Sequence, residues 1–73
     1  MIKFYLSDDL YHVSKKEAQE KIKTKGGIIR ENITNDVWYF VTNNPKNYSP
    51  PFEKARKLGV LFIDEQELIK MIE

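Results

Sequence analysis

The sequence predicts one α/β domain in which helices cover both faces of a mainly parallel sheet. Short apolar segments alternate with segments of helical periodicity over all 73 residues, and no linker or internal repeat interrupts them. Residues 37–41 and 60–63 lack polar alternation, which is typical of strands covered on both faces. Cysteine is absent and 41% of the residues are hydrophobic, so aliphatic and aromatic packing must form the core without disulfides.

The first three predicted elements are a strand, a helix and a second strand. Residues 2–6 are short, apolar and aromatic, as expected of a strand. Ser14 and Glu17 form an S-x-x-E capping box that predicts the start of a helix. The glycine pair that begins at Gly26 ends this helix, because glycine adopts the left-handed conformation at little cost. Residues 28–31 form the second predicted strand.

A third strand, a second helix and a fourth strand follow along the chain. Residues 37–41 form the third strand, and we expect Trp38 within it to lie in the core. Pro50 opens the second helix, where its missing N–H does no harm, and Gly59 ends that helix. Residues 60–63 form the fourth strand.

Capping residues mark the starts of the last two helices. Ser49 is expected to cap the second helix, and Asp64 forms a second capping box with Glu67 before the third. The order is therefore β-α-β-β-α-β-α within a single domain, residues 1–73, and the first strand should be central. The predicted core consists of apolar side chains on the buried faces: Phe4, Leu6, Ala18, Ile22, Val37, Tyr39, Val41, Phe52, Ala55, Leu58, Leu61, Ile63, Leu68 and Ile72.

The charged residues are segregated although the net charge is only +1. Residues 15–25 contain five lysines and two glutamates, whereas residues 64–73 contain four acidic residues and one lysine. The two helices could simply present solvated faces. The alternative interpretation is that the basic first helix faces a polyanion.

The residue types that support catalysis or metal binding are scarce. His12 is the only histidine and follows Tyr11 in a predicted loop, and without cysteine it cannot form a usual zinc site. The glycine pair follows a helix, whereas a phosphate-cradling loop precedes one. Asp8 and Asp9 are adjacent carboxylates, but adjacent side chains usually point apart. We therefore expect no enzymatic activity, no cofactor and no metal.

The apolar run after Met1 is too short for a signal peptide or a membrane span. A cytoplasmic location without a membrane partner is the expectation that follows.

Four segments resemble a known family when they are taken together in order. They are residues 4–7, residues 14–27 with their Gly-Gly end, residues 37–41, and residues 53–65. In this pattern the chain resembles a BRCT domain, a module of DNA repair and replication proteins. The Ile-Asp-Glu step at residues 63–65 resembles in particular the subtype found in bacterial NAD-dependent DNA ligases and in the large subunit of eukaryotic clamp loaders. The resemblance implies a four-stranded parallel sheet in the order 2-1-3-4, flanked by three helices.

The resemblance also implies candidate phosphate-binding residues. Ser7 matches the Ser/Thr after the first strand, and Lys15 matches a basic residue that contacts DNA phosphate in the clamp-loader type. The family lysine near the start of the second helix falls on Pro51, and Lys54 lies one turn later as its substitute. Asp8 stands where a glycine is usual, and its carboxylate would repel a phosphate. Phosphopeptide recognition is therefore not expected.

The function expected from these features is non-catalytic docking in DNA metabolism. Lys15, Lys16 and nearby basic residues would bind DNA phosphates weakly and without regard to sequence. The module could instead bind a protein through strand edges and helix surfaces. Two further hypotheses are a carboxy-terminal domain cut out of an NAD-dependent DNA ligase and a structural dimerisation domain.

Overall fold

The structure, a computed structural model, describes residues 1–73 and contains four strands and three helices. The four strands pair in parallel in the order β2-β1-β3-β4, which confirms the predicted α/β fold and its 2-1-3-4 sheet. None of the helices has the length and apolar character needed to span a membrane. The elements are β1 (Lys3–Leu6), α1 (Lys15–Thr24), β2 (Ile28–Ile29), β3 (Tyr39–Val41), α2 (Pro50–Leu58), β4 (Leu61–Ile63) and α3 (Glu65–Ile72).

The register of the strands divides the core into two layers. Leu6, Val41 and Ile63 form one row across the sheet and point to the same face. Helices α1 and α3 cover this face, and their buried residues pack into one cluster with that row. Helix α2 covers the opposite face alone. The basic and acidic helices therefore lie on the same side of the sheet.

Aromatic rings form the layer beneath α2. Phe40 of β3 is fully buried, and its ring centroid lies 4.6 Å from that of Phe52 and 4.8 Å from that of Tyr5. Phe62 meets Phe40 edge to face at 5.1 Å. The predicted core omitted Phe40, and it also omitted Ile33, which is buried although it lies in the loop before β3.

Three residues predicted to be in the core are exposed instead. Trp38 is 55% exposed, Leu58 44% and Leu61 63%. Trp38 precedes the first residue of β3, and Leu61 is the first residue of an edge strand, so neither lies under a helix. Leu58 is six positions after Phe52, which places it well off the buried stripe of α2 at 100° per residue. The prediction was wrong for Trp38 and Leu61 because helices do not cover the ends of the strands, and for Leu58 because it lies off the buried face of α2.

The helix caps agree with the sequence at two of three positions. Ser14 and Asp64 each accept a hydrogen bond from the N–H three residues ahead, at 3.1 and 2.8 Å. Ser49 is the N-cap residue that precedes α2, but its side chain makes no capping hydrogen bond. Pro51 has no N–H to offer, and the N–H of Phe52 donates to the carbonyl oxygen of Ser49 at 3.0 Å. The predicted side-chain cap at Ser49 is therefore wrong.

The two glycines after α1 serve different purposes. Gly26 has a φ of +88°, in the left-handed region that ends a helix. Gly27 has an ordinary backbone, but a Cβ there would lie 2.6 Å from Cγ2 of Ile22 and 3.2 Å from Cε1 of Phe4. The sequence predicted the turn but not this close approach between the chain and the core.

Arg56 holds the loop that leads into α2. Its guanidinium donates to the carbonyl oxygens of Pro45 and Asn47, the latter at 2.7 Å, and to the carboxylate of Glu53 at 2.7 Å. It also lies 5.4 Å from the centre of the Tyr48 ring. The Arg56 guanidinium is therefore engaged in holding the loop before α2 against the helix.

Replacing Phe40 by Ala should lower the free energy of unfolding by about 3–5 kcal/mol, because it empties the centre of the aromatic layer. Replacing the half-exposed Leu58 by Ala should cost only about 1 kcal/mol. Urea denaturation followed by circular dichroism measures both losses. Equal losses for the two variants would contradict the two-layer description of the core.

Candidate functional site

The loop after β1 is fastened at the carboxyl edge of the sheet by one buried carboxylate. Glu65, the first residue of α3, is fully buried. Its carboxylate accepts hydrogen bonds from the backbone N–H groups of Tyr11, His12 and Val13 at 3.1, 2.7 and 2.7 Å. The start of α3 therefore holds the segment that leads into α1.

Asn43 links Glu65 to a second carboxylate, that of Asp9. The Asn43 side-chain amide donates to Glu65 Oε1 at 2.9 Å and accepts from the Glu65 N–H at 3.1 Å. The same amide donates to the carbonyl oxygen of Asp9 at 3.3 Å, and the Asn43 N–H donates to Asp9 Oδ1 at 3.2 Å. Asp9, Asn43 and Glu65 together form the loop network.

The hydroxyl of Ser7 is engaged within this arrangement. Ser7 is buried, and its Oγ donates to the carboxylate of Asp9. Thr42 Oγ1 donates to the other oxygen of Asp9 at 2.6 Å. Burial acts against the charge of Asp9, but the hydrogen bonds from Ser7, Thr42 and the backbone outweigh it and lower the pKa of Asp9. The Asp9 carboxylate therefore occupies the Ser7 hydroxyl, which the family resemblance implies as a phosphate ligand.

Lys15 faces a carboxylate as well. Its Nζ lies 2.9 Å from Oδ1 of Asp8, whose side chain is 93% exposed. Asp8 and Ser7 line a shallow cleft of about 340 Å³ between the β1–α1 loop and the start of α2. Lys54 does not line this cleft but a neighbouring one, beside Glu31. The structure therefore brings Ser7, Asp8 and Lys15 close together and leaves Lys54 apart from them.

Free basic groups lie along one side of α1. Lys16 and Lys23 are exposed, and neither takes part in any of the four ion pairs of the chain. They are seven residues apart, so they share one flank two turns along the helix. Arg30, on the strand side of α1, is paired with Asp36 at 2.7 Å. The residues Lys15, Lys16, Gln19 and Lys23 define the outer flank of α1.

Sequence reasoning missed all three residues of the loop network. Asn43 lies between the third predicted strand and the second predicted helix, where the sequence predicts no role for it, and Glu65 is part of the Ile-Asp-Glu step alone. An acidic residue just after a helix cap is ordinary, so no signal in the sequence marks Glu65 as buried. The exposed position of His12 agrees with its predicted loop.

The carboxylate of Glu65 is stabilised in its charged form. Burial is the largest single influence and acts against the charge. The hydrogen bonds from Asn43, Val13, Tyr11 and His12 together outweigh burial and lower the pKa of Glu65. A carboxyl group with a lowered pKa stabilises the fold above its unfolded-state pKa of about 4.3. That contribution is lost as the pH falls through the lower, folded-state pKa.

Replacing Glu65 by Gln should therefore reduce the free energy of unfolding by about 2–3 kcal/mol at neutral pH, because an amide N–H₂ would face backbone donors. The difference from the wild-type chain should shrink as the pH is lowered from about 5 to about 3. Denaturant titrations across this range measure it, with the exposed Glu67→Gln as the matched control. A loss of stability that is the same at every pH would contradict the assignment.

Comparison with known proteins identifies one family and several relatives of this chain. Residues 2–72 match the family model described as the BRCA1 C Terminus (BRCT) domain. The chain is 35% identical over 72 residues to a DNA ligase of Dehalococcoides mccartyi, covering 99% of this chain and 10% of that protein. It is 28% identical over 71 residues to a DNA ligase of Treponema denticola, covering 97% of this chain and 11% of that protein.

A DNA ligase of Coxiella burnetii is 30% identical over 69 residues, which cover 94% of this chain and 10% of that protein. The chain spans about a tenth of the length of the curated relatives it matches. These relatives confirm the likeness to the ligase subtype that the sequence suggested. With a family model that matches nearly its whole length and a parallel sheet in the order 2-1-3-4, the chain belongs to the BRCT domain family.

Proposed function

We propose that this BRCT domain is a non-catalytic docking unit of DNA replication or repair that binds the backbone of duplex DNA through the outer flank of α1. The exposed, unpaired ammonium groups of Lys16 and Lys23 on one flank are the observation that supports it. Lys15 adds a third basic group once its pair with Asp8 opens. Lysines attract phosphates as point charges and require no fixed geometry.

The proposed binding is weak and independent of sequence. The flank offers few positive charges, and backbone contacts carry no sequence information. A tight pocket for a terminal phosphate receives little support, since Asp9 engages the Ser7 hydroxyl and Asp8 lies beside it. Phosphopeptide recognition through the same cleft is unfavourable for the same reason.

The relatives suggest where such docking would be used. They are DNA ligases, and the matched region is about a tenth of their length. We propose that the chain helps to hold DNA during joining and leaves nucleotidyl transfer to other parts of such a protein. Docking to a protein partner, or dimerisation, is the alternative that applies if DNA binding fails the tests that follow.

Reversing two charges on the outer flank should abolish most DNA binding. The double variant Lys16→Glu/Lys23→Glu should weaken binding to a fluorescein-labelled nicked duplex by roughly tenfold or more, measured by anisotropy at low salt. The matched control is Lys57→Glu/Lys70→Glu, which changes the net charge equally on α2 and α3 and should bind like the wild type.

Wild-type affinity should also fall on the order of 10–100-fold between about 50 and about 200 mM salt, as expected for two to four phosphate contacts. Equal losses in the flank variant and its control would indicate a general charge effect. That result, or an affinity that ignores salt, would remove the proposed site.

Neutralising Asp8 should strengthen DNA binding. The Asp8→Asn variant frees Lys15 from its carboxylate partner and removes a negative charge beside the Ser7 cleft, so binding should tighten roughly two- to fivefold. Glu67→Gln, on α3, is the charge-matched control. Anisotropy with 5′-phosphorylated and 5′-hydroxyl nicks distinguishes the two causes.

An equal gain on both substrates would assign the effect to Lys15 on the flank. A gain confined to the 5′-phosphorylated nick would instead assign a terminal-phosphate site to Ser7. No gain on either substrate would show that Lys15 does not contact DNA.

A further inference from the structure

The large apolar side chains that remain exposed are concentrated at one edge of the molecule. Six of the eight lie at strand beginnings or helix ends, and only Tyr11 and Tyr48 lie in loops at the opposite edge. In a parallel sheet the strands start at the same edge, and the intervening helices end there. The six residues of this amino edge are Met1, Ile2, Trp38, Leu58, Leu61 and Met71.

Backbone contacts and a cleft support this grouping. The Trp38 N–H donates to the carbonyl of Lys3 at 2.8 Å, and the Trp38 carbonyl accepts from Leu61 at 3.3 Å. Met1, Ile2 and Met71 line an open cleft of about 610 Å³ between the ends of α1 and α3. Phe4, Ile22 and Ile72 also line this cleft, so its lining is mainly apolar. A surface of this kind is characteristic of a binding site.

Positive charge surrounds the apolar groups. Lys25 lines the cleft itself, and Lys57 and Lys70 lie near the ends of α2 and α3. None of the three takes part in an ion pair. Glu73 is the acidic residue at the end of α3, so the edge carries a net positive charge. Its partner must therefore combine apolar side chains with negative charge.

We propose that the amino edge docks an acidic segment of a partner protein. Its apolar side chains enter the cleft between α1 and α3 and cover the exposed Trp38 and Leu61, while its carboxylates meet Lys25, Lys57 and Lys70.

This surface is separate from the outer flank of α1. Lys25 lines the cleft beside α3, whereas Lys15 and Gln19 of the flank line a different cleft beside β2. At 100° per residue, Lys16 and Lys23 lie nearly half a turn around α1 from Lys25. The inference does not depend on DNA binding.

Two other occupants fit less well. A second copy of the chain would bring the lysines of two amino edges against each other, which is a repulsive contact. An anionic bilayer would satisfy the lysines, but a membrane surface cannot fill a cleft as peptide side chains can. The concave shape and the positive rim together favour an acidic peptide.

The test uses the whole chain and a random 16-residue phage-displayed peptide library. Selected peptides should be rich in Asp and Glu and contain Leu, Phe or Met anchors. Their affinity should fall at least about tenfold for Trp38→Gln/Leu61→Thr, which removes two exposed apolar side chains of the amino edge, and for Lys57→Glu/Lys70→Glu. The Lys16→Glu/Lys23→Glu variant should bind them like the wild type. All replaced side chains are exposed, and circular dichroism checks that each variant folds.

Several results would overturn the proposal. They are the recovery of no binding peptides, the selection of basic peptides, and binding that is insensitive to the amino-edge variants. Dimerisation in sedimentation that Trp38→Gln/Leu61→Thr abolishes would assign the edge to a second copy. Binding to phosphatidylglycerol vesicles that the same variant abolishes would assign it to a membrane surface. A failure of DNA binding in the earlier experiments would leave the peptide result unaffected.

Discussion

The candidate site depends on one constraint, which is that the buried, charged carboxylate of Glu65 must be surrounded by hydrogen-bond donors. A buried carboxylate is costly unless hydrogen bonds surround it, and here three consecutive backbone N–H groups and an asparagine amide do so. Those N–H groups belong to residues 11–13, immediately before α1, where no helix or strand can pair them. The Glu65 carboxylate thus gains the hydrogen bonds that its burial requires, and the N–H groups of residues 11–13 gain an acceptor. The same contacts hold the start of α3 against the segment that precedes α1.

The loop network has a direct consequence for phosphate binding. Because Asn43 holds Asp9 at the end of the sheet, the Asp9 carboxylate meets the Ser7 hydroxyl, while Asp8 turns outward to Lys15. Packing also places the acidic α3 beside the basic α1 on one face of the sheet. The exposed lysines on the outer flank of α1 lie away from α3, so its acidic side chains leave them available to a polyanion.

Local patterns predicted most of the fold, and they failed where the outcome depends on neighbours distant in sequence. Capping boxes and glycines located the helices, and apolar runs located the strands. The exposure of Lys15 and Lys16 follows from helical periodicity alone. Leu58 and Trp38 are large apolar residues, but Leu58 lies off the buried face of α2 and no helix covers the start of β3. Ser49 resembles a cap, yet Pro51 has no N–H and the N–H of Phe52 donates to the Ser49 carbonyl oxygen instead of its side chain.

The sequence by itself determined the class of the domain, the order of its elements and its family, because those properties depend on periodicity and on residues close together in the chain. Only the tertiary structure decided which charges remain free. Asp9 meets Thr42 across 33 positions, and Glu65 meets Tyr11 across 54, so neither pairing can be inferred from local spacing. The physical reason is that a buried carboxylate pairs with whatever donors packing brings within hydrogen-bonding distance.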